Sequence, residues 1–289
     1  MSLNWKFSAS LMLVAALTGC GGGGMSPDPA PNVSVALAVR GEGGGGAAAS
    51  TETVASTGTG WATIKGVFKI QGGVPAASFF DTGGKDVAAC GTKVLNDSIL
   101  VDPSSKGIHN ILVYSRKKVS RIYDAYKSAP SKPVEFDQEK CMFHGHVYAL
   151  QLKDSMLIKN SDPVGHNVKM SPLGNPEFNQ NVPPKESTTY KFEKQLPAPT
   201  EATCSIHPWM KAYIMCREDP YFAITKTDGS FEIANVPAGE ELEFQVWHEK
   251  APSGLAAKPD WAQGRFKLKL NADETKDLGT IEVPQSAFQ

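Results

Sequence analysis

Two histidines, one cysteine and one methionine stand in an order that suits a metal ion. The run Met156-Leu-Ile-Lys-Asn-Ser-Asp-Pro-Val-Gly-His166-Asn167-Val168 reads as a strand, a turn and a histidine that opens the next strand. Further on comes Cys204-Ser-Ile-His207-Pro-Trp-Met210. Copper electron-transfer sites use two imidazoles and one thiolate in a trigonal plane with a weak thioether on the axis. His166, Cys204 and His207 would form that plane, and Met210 the axis. No second cysteine lies between Cys204 and His207, so a single copper ion is expected. Two other accounts of the same residues remain open: a Cys204–Cys216 disulfide with the histidines as bystanders, or zinc or another ion on the same donors.

Such a set needs a rigid frame, and the apolar pattern supplies one made of strands. Of 289 residues, 41% are hydrophobic and 20% charged, with 27 glycines and 20 prolines, and after residue 60 the apolar runs are short and turn-separated. Strands are expected at Thr63–Ile70, Ile108–Ser115, Val134–Cys141, Val147–Leu152, Met156–Lys159, Tyr190–Phe192 and Ala212–Cys216. Others follow at Tyr221–Thr225, Ser230–Ile233, Leu242–Trp247, Phe266–Leu270 and Gly279–Val283, with no helix longer than about two turns. The fold class is therefore all-β. Lys plus Arg number 29 and Asp plus Glu 30, so no excess of positive charge favours a nucleic-acid partner. No nucleophile elbow, His-Glu-x-x-His or phosphate loop is present, and a non-enzyme is expected.

The element Asn160-x-Asp162-x-x-x-His166-Asn167 and the loop Cys204-x-x-His207 resemble the plastocyanin type of cupredoxin, over roughly Val134 to Arg217. The resemblance implies a Greek-key β-sandwich with one copper held by His166, Cys204, His207 and Met210. Met210 follows His207 by three positions, where that type has five, so its axial role is the weakest part of the resemblance. Asn167, directly after a ligand, is expected to hydrogen-bond across the site and fix the loop, and Trp209 and Tyr213 flank it. A second resemblance, to carboxypeptidase regulatory-like (transthyretin-like) sandwiches, rests on Thr227-Asp-Gly-Ser-Phe231 and Val236-Pro-Ala-Gly239, where Asp-Gly and Pro-x-Gly make successive turns. Residues 61–133 and 221–289 would then form that sandwich, with the cupredoxin-like stretch 134–220 inserted in it or packed against it.

The first residues read as an address. A lysine at position 6, an apolar stretch from Phe7 to Leu17 and Leu17-Thr-Gly-Cys20 resemble a bacterial lipoprotein signal over 1–19, with Cys20 acylated after cleavage. Residues 20–60 follow as a glycine-rich tether, able as a flexible coil to separate membrane and domain by about 35 Å. The expected location is the cell envelope, lipid-anchored, the outer membrane more than the inner. Export leaves four cysteines. Cys90 and Cys141, which lack a preceding histidine at ligand spacing, are the natural disulfide, and Cys216 is expected as a buried free thiol. His144 and His146, on one strand face, form a conceivable metal pair, against a surface or supporting role. The expected function is a membrane-anchored copper protein carrying single electrons to a redox partner protein. Copper storage or delivery, and a metal-free structural or interaction module, are the alternatives.

Overall fold

The computed structural model describes residues 60–288; the signal, Cys20 and all but the last residue of the tether lie outside the described residues. The strand β1 (Trp61–Gln71) alternates strictly between half-buried and buried positions, with Ile64, Phe68 and Ile70 on the inner face. An arm follows, made of β2 (Phe79–Asp81), the one-turn helix α1 (Val87–Cys90) and β3 (Lys93–Leu95). After β4 (Leu112–Ser115) and the short helix α2 (Asp124–Ser128) come β5 (Pro133–Glu139), β6 (Met142–Phe143), β7 (Val147–Gln151) and β8 (Ser155–Asn160). Then follow β9 (His166–Met170), β10 (Phe178–Val182), β11 (Ser187–Tyr190), β12 (Thr200–Thr203) and β13 (Lys211–Arg217). The chain closes with β14 (Phe222–Ile224), β15 (Ser230–Pro237), β16 (Glu241–Trp247), β17 (Arg265–Lys269) and β18 (Thr275–Pro284). The fold is all-β, as the short apolar runs predict. Among the described residues no helix is long and apolar enough to cross a membrane.

Sheet membership sorts these strands into two sandwiches and the arm. The sheets β15-β1-β18 and β14-β4-β16-β17 enclose a first core that includes Phe68, Val113, Phe231, Phe244 and Trp261. The sheets β10-β9-β12-β13-β7 and β11-β8-β5-β6 enclose a second, with Phe136, Ile158, Val168, Phe192 and Ile214. The second sandwich uses the consecutive strands β5 to β13, and the first uses strands on both sides of them in sequence. Contact between the two runs through β4, which is buried throughout. Val113 points into the first core, while Leu112 and Tyr114 on its other face belong to the second, as does Trp247 of β16. The turn before β15 is fixed by Gly229, whose φ is +80°. A Cβ there would lie 2.0 Å from the carbonyl oxygen of Phe68, so only glycine lets this turn close on β1.

Some expected strands are shifted. Ile108–Ser115 shrinks to Leu112–Ser115, and Asn110, with a left-handed φ of 60°, interrupts the extended backbone ahead of it. Tyr190–Phe192 gives way to Ser187–Tyr190, which pairs with β8. The arm joins neither pair of sheets: β2 and β3 pair only with each other.

Candidate metal centre

Local chemistry folds the turn before His166. The buried Asn160 donates through Nδ2 to the carbonyls of Val164 and Val182, both at 2.8 Å, and accepts from the Asp162 N–H at 3.0 Å. Asp162 in turn accepts from the backbone N–H groups of Lys140 (2.6 Å) and Cys141 (2.8 Å). Its Oδ2 also lies 2.7 Å from His166 Nε2. The ring of His166, fully buried at the start of β9, is thereby turned with Nδ1 inward.

The loop between β12 and β13 supplies the remaining donors. It is closed by backbone bonds from Cys204 N–H to the Met210 carbonyl (3.3 Å) and from Met210 N–H to the His207 carbonyl (3.0 Å). Cys204 Sγ accepts the N–H of Asn167 at 3.3 Å and that of His207 at 3.4 Å. His207 Nδ1 lies 2.9 Å from His166 Nδ1 and 3.9 Å from Cys204 Sγ. Asn167 reaches the loop through Oδ1, which accepts from Ser205 N–H (3.3 Å), while its Nδ2 donates to Asn179 and Asn181 at 3.0 and 3.1 Å. Met210 is buried among the side chains of the second core. Trp209 packs on His207 with ring centroids 5.1 Å apart and donates to the Cys141 carbonyl at 2.9 Å.

Burial works against the charged form of His166, but its bonds to Asp162 and Cys204 outweigh that and raise it to about 9. Burial alone would raise the Cys204 thiol; the bond to His166 and the N–H groups of Asn167, His207 and Ile206 hold it below the ordinary thiol range. Burial pushes His207 down, the Asp86 bond opposes it, and the charge on His166 adds to the fall. These shifts favour the thiolate of Cys204, the charged form of His166 and the neutral form of His207. A thiolate is the form that ligates metal. Donors held at about 2.0 Å (nitrogen) and about 2.3 Å (sulfur) from one ion, as for zinc, lie about 3.5–3.8 Å apart in a trigonal plane. The sulfur–nitrogen separation is close to that, and the two Nδ1 atoms need only a small opening. His166, Cys204 and His207 therefore fit one ion, and a soft thiolate with two imidazoles suits copper.

Three neighbours of this site carry no ligand signal in the sequence. Asp86 of the arm places Oδ2 2.8 Å from His207 Nε2. Asp162 sits inside the recognisable motif, yet its bond to His166 follows only from the folded turn. The disulfide is Cys90–Cys141, as expected, but it lies against the site, with Cys90 Sγ 3.8 Å from His207 Nε2. Cys204 is unbridged, and Cys216 is a buried free thiol pushed up to about 12 by burial. His144 and His146 do not form a pair: His144 faces Glu139 at 3.4 Å, and His146 is buried between Glu249 and Asp97. Glu249 bonds its Nε2 at 3.0 Å; Asp97 lies 3.1 Å from Nδ1, too oblique for a hydrogen bond, as an ion-pair contact. Against burial, these two carboxylates raise His146 to about 9.

No family model matches the chain, and no curated protein matches it. Forty chains of solved structures do. They include a copper-containing nitrite reductase (NirK) from Thermus scotoductus SA-01, 22% identical with a TM-score of 0.27, the likeness covering 30% of this chain and 22% of that one. They also include the Cu(I) form of an amicyanin variant, 15% identical with a TM-score of 0.27, covering 36% of this chain and 98% of that one. A second, reduced amicyanin variant is 14% identical over 37% of this chain and 99% of its own, again with a TM-score of 0.27. The chain thus spans less than a quarter of the length of the nitrite reductase and nearly all of the amicyanins.

Proposed function

We propose that this protein is a mononuclear copper protein of cupredoxin type that carries single electrons. The observation that supports it best is the convergence of His166 Nδ1, His207 Nδ1 and Cys204 Sγ, with two backbone N–H groups already directed at the sulfur. Copper bound there would alternate between Cu(I) and Cu(II). The chain contributes rigidity: His166 is fixed by its turn, Cys204 and His207 by a backbone-closed loop that Asn167 pins to β9. Donors that stay in place in both oxidation states keep reorganisation small. All three are buried, which keeps water from the thiolate and disfavours the ready metal exchange that storage or delivery would need. The lipoprotein-like Leu17–Cys20 signal supports a lipid-anchored carrier in the cell envelope that would pass electrons to a redox partner protein. Met210, on the same loop, would offer the ion a weak thioether that tunes its potential.

Visible absorption of the reduced, copper-loaded and reoxidised protein tests this reading. An intense thiolate-to-copper band, lost in Cys204→Ser and retained in Met210→Leu, is expected. Wild-type protein without that band would overturn it.

A further inference from the structure

Each imidazole turns Nδ1 towards the other donors and Nε2 towards a carboxylate, Asp162 for His166 and Asp86 for His207. A carboxylate on the outer ring nitrogen fixes tautomer and orientation and makes the ring a stronger donor. Both carboxylates depend on backbone that L-residues adopt reluctantly. Asp86 has a φ of 46°, and Lys140 and Cys141 have φ of 54° and 55° in succession, which turns both their N–H groups onto Asp162. One covalent link joins the two supports. Cys141 lies in the left-handed pair, and Cys90 donates its N–H to the Asp86 carbonyl at 2.8 Å. The bridge thus ties the arm to the turn that holds Asp162.

Resting on the copper reading, we propose that Asp86 and Asp162 are positioning carboxylates, yoked by the Cys90–Cys141 bridge, that hold both Nδ1 atoms on the metal and weight the site towards Cu(II). Negative charge close to a buried ion favours its higher oxidation state. Asp86 is the separable member, since its side chain is 38% exposed and its loss strands no other backbone group.

The copper-loaded full chain is titrated between oxidation states with the visible band as readout. Asp86→Asn is expected to keep the band and shift the Cu(II)/Cu(I) preference about tenfold towards Cu(I), a rise of about 59 mV for a one-electron couple. The double variant Cys90→Ala with Cys141→Ala should shift the potential the same way, and adding Asp86→Asn to it should add less than the single change does, because the bridge acts through Asp86. Asp81→Asn, on the same arm but bonded only to Gly83 N–H at 2.7 Å, should leave the potential in place. In metal-free protein, nitrogen-edited NMR should show a protected Nε2 proton on His207 that Asp86→Ala exposes. A potential for Asp86→Asn equal to that of Asp81→Asn overturns the proposal, and strict additivity overturns the yoke. Absence of the protected proton overturns the positioning role with copper still bound in its band. A wild-type protein showing the proton but no band overturns the copper reading, and the bias towards Cu(II) with it.

Discussion

His166 draws its support from Asn160, Asp162 and the Lys140–Cys141 turn of its own sandwich, whereas His207 is held by Asp86, 121 positions away on an arm outside both sandwiches. The bonds are nearly equal in length, 2.7 and 2.8 Å, but the consequences of losing them differ. Asp162 satisfies two backbone N–H groups as well as an imidazole, so it is part of the fold. Asp86 satisfies the imidazole alone and is itself half in solvent. A histidine supported from within its own sandwich cannot be retuned without cost to folding; one supported by an external arm can.

Cutting the arm loose should have the largest effect. The bridge spans 51 positions, and its removal in Cys90→Ala with Cys141→Ala is expected to cost about 4 kcal/mol in the chain-entropy account, read as a lower urea midpoint. Asp162→Ala comes next: two buried N–H groups and the His166 Nε2 lose their acceptor, for a loss of about 3 kcal/mol by chemical denaturation. The third concerns the arm's other attachment, Asp97 on His146. His146 is raised to about 9 in the folded protein, above its ordinary value, so its contribution is complete below about pH 6.5 and fades as pH rises through about 9, by about 3 kcal/mol. Unfolding midpoints measured from pH 6 to 9 should fall in the wild type, and less steeply in His146→Gln. The smallest is Asp86→Ala, below about 1 kcal/mol because the pair is partly exposed. A cost for Asp86 as large as for Asp162 would erase the contrast between the two sides.

The same contrast decides what could be read in advance. Leu242, Phe244 and Val246 alternate on β16 and Tyr148 and Leu150 on β7, where the core-facing side writes period 2 into the sequence. The loop from Cys204 to Met210 was legible because its donors are close in the chain, and His166, 41 positions from His207, because a strand and a turn lead directly into it. Phe178–Val182 and Thr200–Thr203 were not: Asn179, Gln180, Asn181 and Glu201 are exposed, and these segments are strands because β9 and β13 offer them backbone partners. Asp86 was invisible for a related reason. A lone aspartate beside two glycines reads as a turn, and only the tertiary fold delivers it to His207. His146 reads as a strand residue near the surface, yet carboxylates from Asp97 and Glu249, far apart in sequence, make its burial tolerable.

The order of the strands also has a consequence in time. Ile64 of β1 pairs with Ile233, and Phe68 with Ile281, so the first sandwich cannot complete its central strand until nearly the whole chain is available. The sheets of the second sandwich draw only on the consecutive stretch β5 to β13, and short closures are entropically cheaper than long ones. It is expected to form first, leaving the inner face of β1 waiting. Val113 and Leu112, back to back on β4, then commit one strand to both cores. The first sandwich thus closes last, around a neighbour that already carries the candidate donors, and pulse-labelled hydrogen exchange during refolding should protect β8 and β13 before β1.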